Sequence, residues 1–477
     1  MNKSTIQTLI DKVIGKKGLI RVPSWWMRKV LMQMADWVQE GDDANDGKIV
    51  KVKEEADGKI STLDNNTKAA LVDLKKSLHT QKCFVVKTGA DASYVVVDGV
   101  TQDIPANTQK IITFTDTFKF SIDSSSRYQP IEFIGLAVTD ASTMTTMKSM
   151  FSGCHNLTSI DLSGLNTSSV TYMNGMFSRC SSIKSINLLG MDTSSVTNMN
   201  GMFNYCINLS SIDLSGLNTS KVTDMSYMFS ECRGLESVDF SGFDTSKVMD
   251  MSYIFNNCEK LESVDLSGFN TSAATNMSGM FNLCRKLTSL NLSNFDTSKV
   301  TNMSDMFYNC EKLESIDLSG FNTSAVTNMY EMFGGYRYEG TEYISGFTSL
   351  NLSSFDTSKV TEMSRMFQYC KKLISLDLSS FDTSSVTGMN YIFYNCSSLT
   401  SLILGPNFFK TPNVTSVDFS SCTKWTNDTV VTSLVTNSYD RATAGLSTMT
   451  LQLSDNTKAA LTDEQKATIT AKGYTIA

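Results

Sequence analysis

The sequence predicts an α/β repeat solenoid with non-repeating ends, and three observations predict it. Cysteines stand at 154, 180, 206, 232, 258, 284 and 310, each 26 residues after the last. The next beat falls on Tyr336, after which a longer unit leads to Cys370, Cys396 and Cys422. Between the cysteines the same text returns, as "LTSLNLSNFDTSKVTNMSDMFYNC" at 287–310 and "LISLDLSSFDTSSVTGMNYIFYNC" at 373–396, after a degenerate first copy at 131–154. Self-similarity at a fixed period marks stacked coils, none of which buries its apolar face alone.

Each unit carries two hydrophobic periods. In "LTSLNLS" the alternation of a short strand points Leu290 and Leu292 inward and Ser289, Asn291 and Ser293 outward. Met303, Met306, Phe307 and Cys310 then fall at i, i+3, i+4 and i+7, one face of a short helix that Thr297 or Ser298 would cap. One strand and one helical turn per unit stack into a right-handed coil. The cysteine is then the last inward residue of the helical face, a small buried hydrophobe. Zinc, the first alternative, wants paired ligands such as C-x2-C, which the sequence lacks. Disulfides between neighbouring rungs are the second. The methionines of the M-x-x-M/I-F positions fill core space by the same argument.

The unit "LTSLNLSNFDTSKVTNMSDMFYNC" resembles the repeat of the BspA-type leucine-rich-repeat surface proteins, in their methionine-phenylalanine-cysteine variety, across residues 131–422. The resemblance implies a curved leucine-rich-repeat solenoid with a parallel sheet on its concave side. It also implies adhesion or recognition without catalysis. The chain departs from that family's habit in its first residues, "MNKSTIQTLIDKVIGKKGLIRV", which show no signal-peptide core. The expectation is a chain made for use in, or release from, a cytoplasm.

The ends read differently. In residues 1–82, Ile6, Leu9, Ile10, Val13 and Ile14 make one amphipathic face, and Ser24 caps a second helix, "WWMRKVLMQMADWVQ". Trp25, Trp26 and Trp37 give this helical segment more aromatic surface than so short a piece buries, which points to docking on a partner or on copies of itself. A self-contained helical hairpin is the alternative. The block "VPSWWMRKVL" resembles attachment segments of phage and prophage tail and fibre proteins. That resemblance implies a virion protein assembled in the bacterial cytoplasm, joined through 1–82 to other tail proteins, with a homotrimer by analogy. Residues 83–130 read as strands of a small β module that caps the first coil. Residues 423–477 read as helix, strand, helix and terminal strand, a C-terminal cap over the last coil.

Composition narrows the function. A net charge of −7 shows no basic stripe for nucleic acid, and no apolar run approaches a membrane span. Two histidines in 477 residues, and no nucleophile-elbow, phosphate-loop or zincin motif, give no catalytic residue, cofactor or metal site. The outward strand column Asp161, Asn187, Asp213, Asp239, Asp265, Asn291, Asp317, Asn351, Asp377 is either a solvated ladder or a face for sugar hydroxyls or cations. Rungs ~4.8 Å apart would set adjacent carboxylates about 1 kcal/mol against each other in water.

The repeat breaks its own rule once, in the 334–346 insertion "GGYRYEGTEYISG", with Tyr336, Arg337, Tyr338, Glu339 and Tyr343. Insertions in a solenoid emerge on a surface, and Tyr and Arg suit binding hot spots; neutral drift in a tolerant loop is the alternative. A broader set of outward tyrosines, Tyr205, Tyr227, Tyr253, Tyr308, Tyr369 and Tyr391, offers a second patch. The expected function is non-enzymatic recognition: a tail-associated protein contacting a cell-surface protein or glycan of the bacterial host. A bacterial cell-surface adhesin and a rigid virion spacer are the rivals.

Overall fold

The computed structural model describes residues 144–477, apart from 163, 164, 166 and 426, together with the backbone of six strands between 83 and 136. The helices expected in 1–82, with Trp25, Trp26 and Trp37, lie outside the described residues.

The six early strands are β1 (Cys83–Thr88), β2 (Ser93–Val97), β3 (Val100–Ile104), β4 (Gln109–Thr113), β5 (Phe120–Ser121) and β6 (Ile131–Leu136). β4, β1 and β6 pair antiparallel, while β3, β2 and β5 form a separate antiparallel sheet. β6 is also the first strand of the array. It pairs parallel with β7 (Ser159–Asp161), in the register Ile134↔Ile160, and β7 with β8 (Ser185–Asn187). β9 (Ser211–Asp213) and β10 (Ser237–Asp239) continue the parallel series one coil later each. After an antiparallel hairpin, β11 (Tyr336–Tyr338) and β12 (Thr341–Tyr343), it resumes as β13 (Ser349–Leu350), β14 (Ser375–Leu378) and β15 (Ser401–Leu404). The molecule is thus a parallel β-solenoid with few helices.

The interior is the one the alternation and the 26-residue beat require. Met303, Met306, Phe307 and Cys310 are all fully buried, and Leu292 nearly so, while Ser289, Asn291 and Ser293 are exposed. Eleven phenylalanine rings stack along the array from Phe151 to Phe419, with neighbouring centroids 5.3–6.1 Å apart. The thiols form no disulfide among the described residues; ten are free and buried. The nine from Cys180 to Cys422 each donate to a phenylalanine carbonyl of the preceding coil, as Cys258 Sγ does to Phe229 O at 3.3 Å.

The expected helix is absent, and the backbone shows why. Asp305 and Asn309 have φ of 58°, in the left-handed region that ends a right-handed helix. Alternate amides leave the coil: Met303, Asp305, Phe307 and Asn309 donate to Asn328, Tyr330, Met332 and Gly334 of the next one at 2.7–3.0 Å. The amides between them close local turns, such as Tyr308 to Asp305 at 3.0 Å. A string of turns with left-handed corners returns i, i+3, i+4 and i+7 to one side as a helix would. It also gives its amides to the neighbouring coil, whereas eight residues of helix would keep them and nucleate poorly alone. Thr297 is therefore no helix cap: it is buried, and its hydroxyl donates to Asn322 O at 3.0 Å.

The second ladder outlasts the first. Parallel bridges run without a gap from Thr146↔Tyr172 through Asn302↔Asn328 to Glu362↔Gly388. The strand ladder breaks between β8 and β9 and again after β15, and no strand lies between β10 and the hairpin, where Val264, Leu290 and Ile316 are only partly buried. The sheet expected along one whole side is therefore discontinuous, and the turn segments carry the unbroken inter-coil bonding.

The C-terminal residues follow the expected order of helix, strand, helix and strand. A short helix α1 (Asn427–Val430) runs into a π-helix (Val431–Thr436). β16 (Ser416–Phe419), β17 (Met449–Leu453) and β18 (Tyr474–Ile476) extend the parallel stack, and α2 (Asp455–Ala460) and α3 (Asp463–Ala471) lie between the last two. Thr462 and Gln465 close a capping box on α3.

Candidate functional site

The insertion is a two-residue hairpin in which Tyr336 faces Tyr343 and Tyr338 faces Thr341. Its corner residues, Glu339 (φ 46°) and Gly340 (φ 83°), both take the positive φ of a type I′ turn, which matches the twist of paired strands. The flanking glycines are packed close rather than free: a Cβ on Gly335 would lie 2.3 Å from Tyr343 O, and one on Gly346 2.6 Å from Cys310 O.

The five expected residues divide into a base and a tip. Tyr336 stacks on Tyr343 at 4.5 Å and on Tyr308 at 5.8 Å. The Arg285 guanidinium lies over the Tyr343 ring at 4.6 Å and donates to Tyr336 Oη at 3.3 Å. Arg285 Nε is 3.5 Å from Glu311 Oε1, an ion pair too poorly aligned to be a hydrogen bond. Lys371 pairs with Glu342 from the following coil. The faces of Tyr336 and Tyr343 are thus occupied by the protein's own cation and rings. Arg337, Tyr338 and Glu339 are exposed at the tip, Tyr338 at 59%.

Beneath the hairpin lies a cluster that sequence reading missed. Tyr253, Gly279, Asp305, Glu331, Arg365 and Tyr391 occupy one column of the repeat, 26 apart and 34 across the insertion. Gly279 leaves room for the Tyr253 ring to lie across its coil, since a Cβ there would be 2.1 Å from Tyr253 Cε1. The Tyr253 hydroxyl thereby reaches Asp305 Oδ2 at 3.2 Å, two coils away. Glu331, 8% exposed, accepts from Arg365 Nη1 at 2.9 Å, and Arg365 also donates to Tyr330 Oη at 3.1 Å. Burial, then the neighbouring Glu331, pushes the Asp305 carboxyl up to about 7. Burial and the same carboxylates hold the Tyr308 phenol well above its ordinary range. The signal was available: this column has no consensus residue, unlike the Phe and Cys columns beside it.

The tyrosine set does not form one outward patch. Tyr205, Tyr227 and Tyr391 are exposed, while Tyr253 and Tyr308 are half-buried. Tyr369 is 5% exposed and meets Tyr394 edge-on, and its carbonyl accepts from Ser345 N–H at the end of the insertion. In the Asp/Asn strand column, Asp213, Asp239, Asp265, Asn291 and Asp317 each accept the amide of the serine two residues on, at 2.8–3.1 Å. Those hydroxyls and amides hold the Asp213 and Asp317 carboxyls below their ordinary value. No cluster of three or more metal-ligating side chains occurs among the described residues.

The family profile described as "Mycoplasma protein of unknown function, DUF285" matches residues 115–238, 145–263, 234–347 and 339–444, well over half of the chain. The chain belongs to this family. The family match covers the repeat; leucine-rich-repeat membership and the tail-protein segment lie beyond it. No curated protein matches the chain. A solved structure of the Toll–Spatzle complex from Drosophila is 14% identical over 64% of this chain and 45% of that one, at a TM-score of 0.17. The chain spans less than half of that protein's length, and backbones that agree so little lend it no fold or function.

Proposed function

We propose that the chain is a non-enzymatic recognition protein whose solenoid holds out the 336–343 hairpin to a cell-surface protein or glycan. One observation carries this reading. The hairpin's base is fixed by the Arg285–Tyr343–Tyr336–Tyr308 stack, while Arg337, Tyr338 and Glu339 stand exposed at its tip. A pre-ordered tip bearing Arg and Tyr loses little entropy on binding. The family's repeat is compatible with a surface adhesin. The virion placement rests on residues 1–82 alone, and neighbouring tail and lysis genes are what would support it.

The test is binding of the full chain to bacterial cells and to a glycan array, wild type against the triple variant Arg337→Ala, Tyr338→Ala, Glu339→Ala. The expected result is at least about tenfold weaker binding with unchanged melting. Undiminished binding would remove the tip from the interface, and a wild type that binds neither surface would leave the spacer reading.

A further inference from the structure

We infer that the ligand of the 336–343 hairpin is an acidic glycan, and that Arg337 binds the carboxylate of one of its sugars. The inference rests on the recognition reading above and deepens it by naming the chemistry of the ligand.

Strand alternation sorts the hairpin's side chains onto two faces. The Tyr336↔Tyr343 and Tyr338↔Thr341 pairs share one face, and the Arg337↔Glu342 pair takes the other. Arg285 and Tyr308 pack on the rings of the first face, which leaves Arg337 exposed on the second. Directly opposed strand residues of opposite charge are natural ion-pair partners. Here the Glu342 carboxylate is held instead by Lys371 of the following coil. Among the described residues no carboxylate lies within 4.0 Å of the Arg337 guanidinium.

The other described arginines are all engaged. Three pair with glutamates, Arg179 lies over the Tyr205 ring, and Arg441 donates to backbone carbonyls. Arg337 has none of these partners, and it stands on a hairpin whose base is fixed. Its guanidinium is charged at any physiological pH, and its planar fork matches the two oxygens of a carboxylate. Glu339 and Glu342 flank it, which favours a singly charged carboxylate over a more highly charged phosphate. The size of the tip favours a sugar over a protein. A stable protein interface covers about 800 Å² on each partner, more than three tip residues offer. One sugar needs only the fork for its carboxylate, with the exposed Tyr338 and Thr341 hydroxyls beside it for its own.

The test titrates the full chain with oligomers of galacturonic, glucuronic and sialic acid, and with the same oligomers after reduction of each carboxyl to the alcohol. At least one acid oligomer should bind about tenfold or more tightly than its reduced form. Arg337→Gln should erase that difference with unchanged melting. Arg337→Lys, which keeps the charge and loses the fork, should restore part of it. Glu339→Gln, which removes a negative charge beside the ligand's own, should tighten binding of the acid form. Reduced oligomers bound as tightly as the acids, a preference that survives Arg337→Gln, or no binding of any acid oligomer overturns the inference. Tighter binding of a glycerol-phosphate polymer overturns it in favour of phosphate, and tighter binding of poly-glutamate in favour of an acidic protein segment. Adhesion to bacterial cells separates this from the recognition reading. Weakening by Tyr338→Ala but not by Arg337→Gln would remove the acidic ligand and keep the tip, whereas no weakening by either would remove the tip itself.

Discussion

Thr219 shows at the scale of one residue how the coils are tied together. Its side chain is buried; the hydroxyl donates to Asp244 O at 3.0 Å and accepts from Asp244 N at 2.8 Å. One hydroxyl thus satisfies both backbone groups of a residue in the next coil, and Thr193, Thr245, Thr297, Thr323 and Thr357 do the same. Thr219→Val keeps the shape and orphans both groups, so it should cost about 1–3 kcal/mol in urea unfolding, whereas Thr219→Ser should cost less. A loss in Thr219→Ser with none in Thr219→Val would show that the methyl group, not the hydroxyl, matters there. The cysteines act similarly in a lesser way. Burial pushes the Cys284 thiol up to about 12, so it stays protonated and donates to Phe255 O at 3.1 Å. A group held as a thiol is a poor nucleophile and a poor metal ligand, which explains why a cysteine at every beat signals packing.

At the scale of elements, side-chain direction was legible in the sequence and backbone conformation was not. Met303, Met306, Phe307 and Cys310 are inward as their spacing required, yet they sit on turns. Hydrophobic spacing reports which side chains share a face, and a run of left-handed corners produces the same sharing as a helix. The corners themselves had weak signatures, since Tyr227, Glu231, Asp305 and Arg365 adopt positive φ where glycine or asparagine would be expected. The insertion was legible because it broke the period. Its division into base and tip was not, because Arg285 and Tyr308 reach it from earlier coils. That division is testable: Arg285→Ala removes the cation from the stack and should weaken the hairpin's seating by about 1–2 kcal/mol. Proteolysis at the tip should accelerate while the global melting point holds, because the hairpin lies outside the Phe and Cys columns. Unchanged cleavage would mean that the strand pairing alone fixes the hairpin.

The whole array is a one-dimensional stack, so its ends decide how it comes apart. At the C-terminal end the last coils are closed by a buried cation. Arg441 is 0% exposed and donates to Phe409 O and Thr411 O, both at 2.7 Å, and to Ser447 O at 2.7 and 2.9 Å. Desolvation lowers the affinity of its guanidinium for the proton, and the three carbonyls compensate with their dipoles. Lys472 Nζ donates nearby to the carbonyls of Val435, Thr436 and Ser438 where the π-helix ends. Arg441→Leu fills much of the space but leaves three buried acceptors unpaired, a loss on the order of 3 kcal/mol. In a stack coupled only through neighbours, that loss should be local: amides of β15–β18 should exchange faster, while those around Phe177 and Phe203 keep their protection. The continuous bridge ladder argues the other way, since an unbroken run of inter-coil bonds raises the coupling between neighbours. Hydrogen exchange on the variant decides between them. Fraying confined to the C-terminal coils gives the ends control of stability, whereas uniform loss from Met173 to Leu453 makes the solenoid a single cooperative unit.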